Sequence, residues 1–215
     1  MRLLSPLEAR VLGVLVEKQH TVPDTYPMSL NALVGGCNQK TARHPVIEAS
    51  DAEVLTAIDG LKGLHLVFEG SSSRVPKFEQ NTGRVLQVPT QAVALLAVLM
   101  LRGPQTAAEL RLNCDRLHRF ADISSVEGFL DELAAKPVPM VVKLPRAAGE
   151  REARWAHLLC GEVSLPAGRA AAADEGVGAG EIAALRAEQT RLAAEVGELR
   201  QLVQRMAREL GIETS

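Results

Sequence analysis

Cysteine is scarce in this chain of 215 residues: Cys37, Cys114 and Cys160 are the whole supply. Three thiols cannot close a disulfide framework, so the sequence predicts reduced thiols and a cytoplasmic protein. Aromatic residues are nearly as rare, with one Trp, one Tyr and four Phe. A β-sandwich has little to draw on, and Leu, Val and Ala must fill cores lined by helices. No long hydrophobic run is present either. The longest, Ala92 to Leu101, is half the roughly 20 residues needed to cross a bilayer. At the N-terminus, Pro6 and Glu8 interrupt the chain before any apolar core of a signal peptide could form. The expectation is a chain neither exported nor embedded in a membrane.

A surplus of one charge is also missing. The chain has 24 Lys+Arg against 26 Asp+Glu, with 9 and 9 in residues 1–88, again 9 and 9 in 89–162, and 6 and 8 in 163–215. No segment is a basic body that would hold nucleic acid by bulk charge, so any such binding must rest on local patches.

What the chain does have is a repeated order of helix starts and period changes. Ser5-Pro6-Leu7-Glu8 places an N-cap, a Pro at the first helical position and a Glu three residues after the cap. Leu7, Val11, Leu12, Leu15 and Val16 then form one apolar stripe, with Arg10, Glu17 and Lys18 off it, and the helix is expected to end near His20. Ser29 to Val34 reads as a short helix stopped by Gly35-Gly36, and Ser50-Asp51-Ala52-Glu53 opens a third with Val54, Leu55, Ile58 and Leu61 as its stripe. Leu64–Glu69 and Arg74–Glu79 follow as extended segments around Gly70-Ser71-Ser72-Ser73, a hairpin in which Pro76 implies an edge.

The same order then recurs. Gln91–Leu101 is an apolar helix, Thr106-Ala107-Ala108-Glu109 caps a short one, and Ser124-Ser125-Val126-Glu127 opens a third with Val126, Phe129, Leu130 and Leu133 inward. Met140–Leu144 and Ala153–Leu159 flank a polar tip. Two copies of one plan about 85 residues apart make an internal repeat. Three helices followed by a hairpin is the winged variant of helix-turn-helix. The predicted fold is therefore mainly α with small β wings (α+β): tandem winged helix-turn-helix domains at 1–88 and 89–162, an Ala/Gly-rich linker at 163–180, and an amphipathic heptad helix at 181–211.

In that last helix Ile182, Gln189, Val196, Val203 and Leu210 take the a positions, while Leu185, Leu192, Leu199 and Met206 take d. β-branched residues at a with Leu at d favour a parallel two-stranded coil, with Gln189 setting register, hence a homodimer. The other reading is a solvated helix or one docked on its own chain, and Gly197 in mid-helix, costing about 1 kcal/mol against Ala, leans that way.

Two segments carry a resemblance. Cys37-Asn38-Gln39-Lys40-Thr41-Ala42-Arg43-His44-Pro45-Val46 and Ser73-Arg74-Val75-Pro76-Lys77-Phe78 resemble the two signatures of the YceH-like family of bacterial proteins. The resemblance covers roughly residues 3 to 160. It implies tandem winged-helix domains and brings no activity, ligand or catalytic residue. His44 departs from the family pattern, which has an acidic residue there, and the heptads lie outside the resemblance.

The chemistry-bearing residues argue against an enzyme. Cys114-x3-His118 and His157-x2-Cys160 have metal-ligand residue types, but on a strand residues 157 and 160 point to opposite faces unless the strand ends between them. A Cys37/His44 nucleophile pair has no evident orienting carboxylate beyond Glu48, and no phosphate-cradling glycine spacing is present. No catalytic residue, metal or cofactor is expected. The third helices are poor groove readers, because Asp51, Glu53 and Asp59 on one and Glu127, Asp131 and Glu132 on the other would face phosphates. Positive charge gathers instead at Lys40, Arg43 and His44 before the third helix, at Arg74, Lys77 and Arg84 around the first wing, and at Arg146, Arg151 and Arg154 at the second. Each is a candidate phosphate contact or a solvated loop charge. A DNA-associated regulator touching phosphates through wings and pre-helix loop therefore stands beside a non-catalytic protein-interaction scaffold.

If the heptads pair two chains, Leu192→Asp together with Leu199→Asp puts like charges into the seam and converts the dimer to a monomer with both winged units folded. Equilibrium sedimentation of parent and double variant checks this. A monomeric parent, or a variant that still dimerises, places association elsewhere.

Overall fold

The computed structural model describes residues 2–70, 75–146 and 152–163, which belong to one compact unit reaching Leu165. The heptad segment lies outside the described residues. The first helix begins as its sequence requires. Ser5 Oγ accepts the Glu8 N–H at 3.1 Å and the Ser5 N–H donates to Glu8 Oε2 at 2.7 Å, so two orphan donors are satisfied at once. From there α1 runs Pro6–Thr21, β1 is Met28–Ser29, α2 is Leu30–Cys37 and α3 is Asp51–Gly63. β2 (Val67–Gly70) and β3 (Lys77–Gln80) form the first wing. A short α4 (Thr82–Leu86) leads into the second repeat: α5 Thr90–Arg102, α6 Ala107–Asn113, α7 Ile123–Ala134, β4 Val141–Lys143 and β5 Trp155–His157. The tandem winged-helix order is therefore present in full.

Each wing is accompanied by a piece of strand that period-2 reading misses. In the first repeat β1 pairs antiparallel with β3 (Met28 opposite Phe78), so the sheet order is β1-β3-β2. In the second, Gln105 bridges Trp155 through two backbone bonds of 3.0 and 2.7 Å, at the equivalent place before the second helix. One or two residues show no alternation, so nothing in the sequence marks them. The same pairing corrects the reading of Pro76. β3 is the central strand, and Pro76 precedes its first paired residue, Lys77, rather than sitting at an edge.

The centre of the unit is the packing of α1 on α5. Glu8 to Val16 are buried without interruption, as are Ala92 to Leu101. That is why the longest apolar run in the chain exists: α5 is covered all round, and so loses the stripe of a surface helix. A Cβ on Gly13 would stand 3.0 Å from Leu101 Cγ and 3.4 Å from Ala97 O, so the absence of a side chain here lets α5 pack close.

Three local readings are overturned. α2 does not stop at Gly35-Gly36 but continues through both to Cys37. Gly36 faces α1, where a Cβ would lie 2.6 Å from Val14 Cγ1, whereas one on Gly35 would meet nothing within 4 Å. The glycine serves close packing, not termination. α7 begins two residues earlier than Ser124 suggests, because the Asp122 carboxylate takes the cap and accepts both the N–H and the Oγ–H of Ser125 at 2.7 Å. An ionised acceptor beats a hydroxyl at that place. Leu55 is not in the buried stripe of α3; Val54, Ala57, Ile58 and Leu61 are, and Leu55 is 42% exposed.

The two glycines give a paired prediction. Gly36→Ala is expected to destabilise by about 1–3 kcal/mol through overpacking against Val14, while Gly35→Ala stabilises by about 0.5–1 kcal/mol through helix propensity. Urea unfolding of both variants checks the signs.

Candidate functional site

The surfaces that a winged-helix protein offers to a partner are the outward face of each third helix and the wings beside them. On α3 the exposed side chains include Asp51, Leu55, Thr56 and Asp59. The one cation of that helix, Lys62, is bonded to Glu69 of β2 and stands 3.9 Å from Asp59. α7 has no Lys or Arg at all, and Asp131 and Glu132 are exposed on it with Glu127 half-buried. Both faces are acidic, with an apolar residue set into the first.

The pre-helix loop turns inward where the sequence suggested outward charge. Arg43 is a buried residue whose side chain has no exposure. Its Nε donates to Gly36 O at 3.0 Å, Nη1 to Glu17 Oε1 at 3.1 Å and Ala42 O at 2.9 Å, and Nη2 to Glu17 Oε2 and Gln39 Oε1, each at 2.6 Å. All five N–H donors of the guanidinium are spent on protein acceptors. Burial pushes the Glu17 carboxyl up, but the Arg43 bonds and charge more than reverse this and hold it below its ordinary range. Arg43 is thus a structural cation joining α1, α2 and the loop, not a phosphate contact. Loop position alone could not reveal this, since the partner that claims it lies 26 residues away on α1.

His44 is exposed, and its backbone N–H donates to Leu101 O at 2.8 Å, which places it at the end of α5. Lys40 is exposed in the loop, Lys77 is half-buried on β3 and Arg84 is exposed on α4. None of these three enters an ion pair among the described residues. Arg74 and Arg151 lie outside the described residues.

At the second wing, Arg154 is half-buried and donates to Glu109 Oε2 at 2.8 Å and Pro104 O at 3.3 Å, so it braces the carboxylate that caps α6. Arg2 does the same for Glu8 at α1, at 2.6 and 2.9 Å. Arg146 lines a depression of about 550 Å³ together with Lys143, Glu127 and Glu152. Lys143 Nζ stands 5.3 Å from the centre of the Trp155 ring. Two cations with two carboxylates make this face mixed in sign, not a positive strip.

The thiols and imidazoles are similarly accounted for. Cys37 and Cys114 are buried, and burial pushes their pKa values up to about 11 and about 12. Both are therefore thiols at neutral pH and poor nucleophiles. His118 packs edge-on to Phe120, ring centres 4.7 Å apart. His157 and Cys160 do come together on one cavity wall, because β5 ends at His157 and the chain turns back through Gly161, whose φ is +101°. Among the described residues no group of three or more His, Cys, Asp or Glu side chains could hold a metal ion. Nor is any helix among them long and apolar enough to cross a membrane.

The structural role of Arg43 is measurable. Arg43→Met leaves the partly buried Glu17 carboxylate with Lys18, at 3.2 Å, as its one ionic partner and should cost about 3 kcal/mol, whereas Arg84→Ala at an exposed position of α4 stays within about 0.5 kcal/mol of the parent. Chemical denaturation compares them, and equal stability of Arg43→Met and parent would refute the structural role.

Comparison with known proteins gives one consistent answer. A family described as a protein of unknown function, DUF480, matches residues 4–150. A UPF0502 protein of Burkholderia multivorans is 68% identical over 217 residues, covering 99% of this chain and 92% of the relative. A UPF0502 protein of Cupriavidus pinatubonensis is 68% identical over 216 residues, with the same coverage. Similarity at this coverage runs through the heptad segment, beyond the reach of the two sequence motifs.

Proposed function

The chain belongs to the DUF480 family of proteins of unknown function, and from that footing we propose that it is a non-catalytic tandem winged-helix module whose third helices dock a basic partner protein. The observation that carries this reading is the sign of the two third-helix faces. Asp51 and Asp59 flank exposed Leu55 on α3, Asp131 and Glu132 are exposed on α7, and the single cation of the two helices is tied to Glu69. A phosphate backbone would be repelled from both faces, since duplex DNA carries one negative charge per ~1.7 Å. A protein surface with Lys or Arg around an apolar pocket would be attracted, and Leu55 would supply the buried anchor. The heptad residues Ile182 to Leu210 would pair two such chains and present the faces in duplicate.

DNA association through the first wing is the second reading, and one observation favours it: Lys40, Lys77 and Arg84 have no ionic partner among the described residues. Fluorescence anisotropy of the full chain with two probes separates the readings. One is a labelled peptide of alternating lysine and leucine clusters, the other a labelled duplex, both at low salt. The protein reading expects peptide binding that Asp51→Lys with Asp59→Lys weakens about tenfold, or 1.4 kcal/mol, with no effect of Lys40→Ala, Lys77→Ala and Arg84→Ala. Duplex binding that those three alanines abolish, with the peptide unbound, would replace it with the DNA reading.

A further inference from the structure

Arg10 is the second buried arginine, 4% exposed. Of the two buried arginines among the described residues, only Arg43 forms an ion pair, with Glu17. Arg10 Nη1 donates to Cys37 O at 3.1 Å and Nη2 to Pro45 O at 2.6 Å, while Nε has no partner. No ion pair joins it to a carboxylate among the described residues. Burial, and then the charge of Arg43, hold its pKa below the ordinary value for arginine. A buried ion without a counter-charge costs several kcal/mol. Two carbonyl bonds use two of five donors and leave the charge without a paired carboxylate, so a carbonyl clamp accounts for only part of this side chain.

Arg10 lines a cavity of about 430 Å³ bounded by the start of α1, the loop from His44 to Ala49, the end of α5 and the turn after β5. Leu7, Ile47, Leu99 and Met100 give it apolar walls. His157 stands in it as a neutral imidazole, because burial pushes its pKa down to about 4, and its Nδ1 is buried without a partner. Glu48 and Glu53, both exposed, also line it.

We propose that this cavity binds a small apolar monocarboxylate, its carboxylate serving as counter-charge to Arg10 and its hydrocarbon body packed on Leu7, Ile47, Leu99 and Met100. One buried cation calls for one negative charge. The exposed carboxylates of Glu48 and Glu53 disfavour a dianion such as a phosphate ester, and neutral His157 adds hydrogen-bonding capacity without adding charge. The volume falls in the range of small-molecule sites, about 300–1,000 Å³, and so does the character, apolar walls with few polar groups. This site stands independently of the protein-docking reading, which concerns other faces.

The test is isothermal titration calorimetry of the full chain at near-neutral pH with octanoate, octanol and inorganic phosphate. Octanoate is expected to bind about tenfold or more tightly than octanol, and phosphate not to compete. Arg10→Met should remove the preference for the carboxylate, and Ile47→Trp, which fills the cavity from the loop, should weaken octanoate about tenfold with Arg10 in place. Equal affinity of the parent for octanoate and octanol, no octanoate binding, or a preference that survives Arg10→Met overturns the proposal. Should Arg10→Met not fold, the comparison of octanoate with octanol on the parent and the Ile47→Trp variant decide.

Discussion

The packing of α1 against α5 is the contact on which the rest of the molecule depends. Each repeat contributes its first helix, and each of these helices gives up its polar face to meet the other. The core is consequently continuous from Leu4 to Leu159 rather than divided between two small units. A winged unit of under 90 residues buries little surface by itself. Joining two through their first helices removes from water apolar area that neither repeat could cover alone. Gly13 lets the backbones close, and the His44 N–H on Leu101 O and the Leu4 N–H on Leu159 O, both at 2.8 Å, tie the flanking chain to the same junction.

Burying α1 on all sides has an electrostatic consequence. Positions 10 and 17, which lie off the apolar stripe, are carried into the interior along with it. Glu17 meets its opposite charge in Arg43, and the five-donor match makes the loop before α3 part of the scaffold. Arg10 is carried in without a paired carboxylate and lines the neighbouring cavity. The two arginines, one inside α1 and one in the loop before α3, differ in role by the position of one carboxylate.

The outward faces follow the opposite logic. Once α1 and α5 hold the core, α3 and α7 need bury only one stripe each, and their remaining positions are free of packing constraint. Those positions are acidic in both repeats. The cations at the wings are in part used up within the fold, as Arg154 on Glu109 illustrates, and in part balanced, as Arg146 and Lys143 are by Glu127 and Glu152. A winged-helix scaffold with this distribution presents two acidic third helices and a second wing of mixed sign.

How much of this was legible beforehand depends on the range of the interaction. Capping boxes at Ser5, Ser50 and Thr106, the stripes that follow them, and the repeat of helices and hairpin are local patterns, and they determined the winged-helix plan. Helix ends were less secure wherever a neighbour outside the local window intervened, as Val14 does for Gly36. The pairing of β1 with β3, the bridge of Gln105 to Trp155, the burial of Arg10 and Arg43, and the meeting of His157 with Cys160 were decided by tertiary structure alone. Each depends on residues tens of positions apart being brought within hydrogen-bond distance or onto one cavity wall. Periodicity records which face of an element is apolar, but not which distant charge or backbone group will be waiting there when that face is buried.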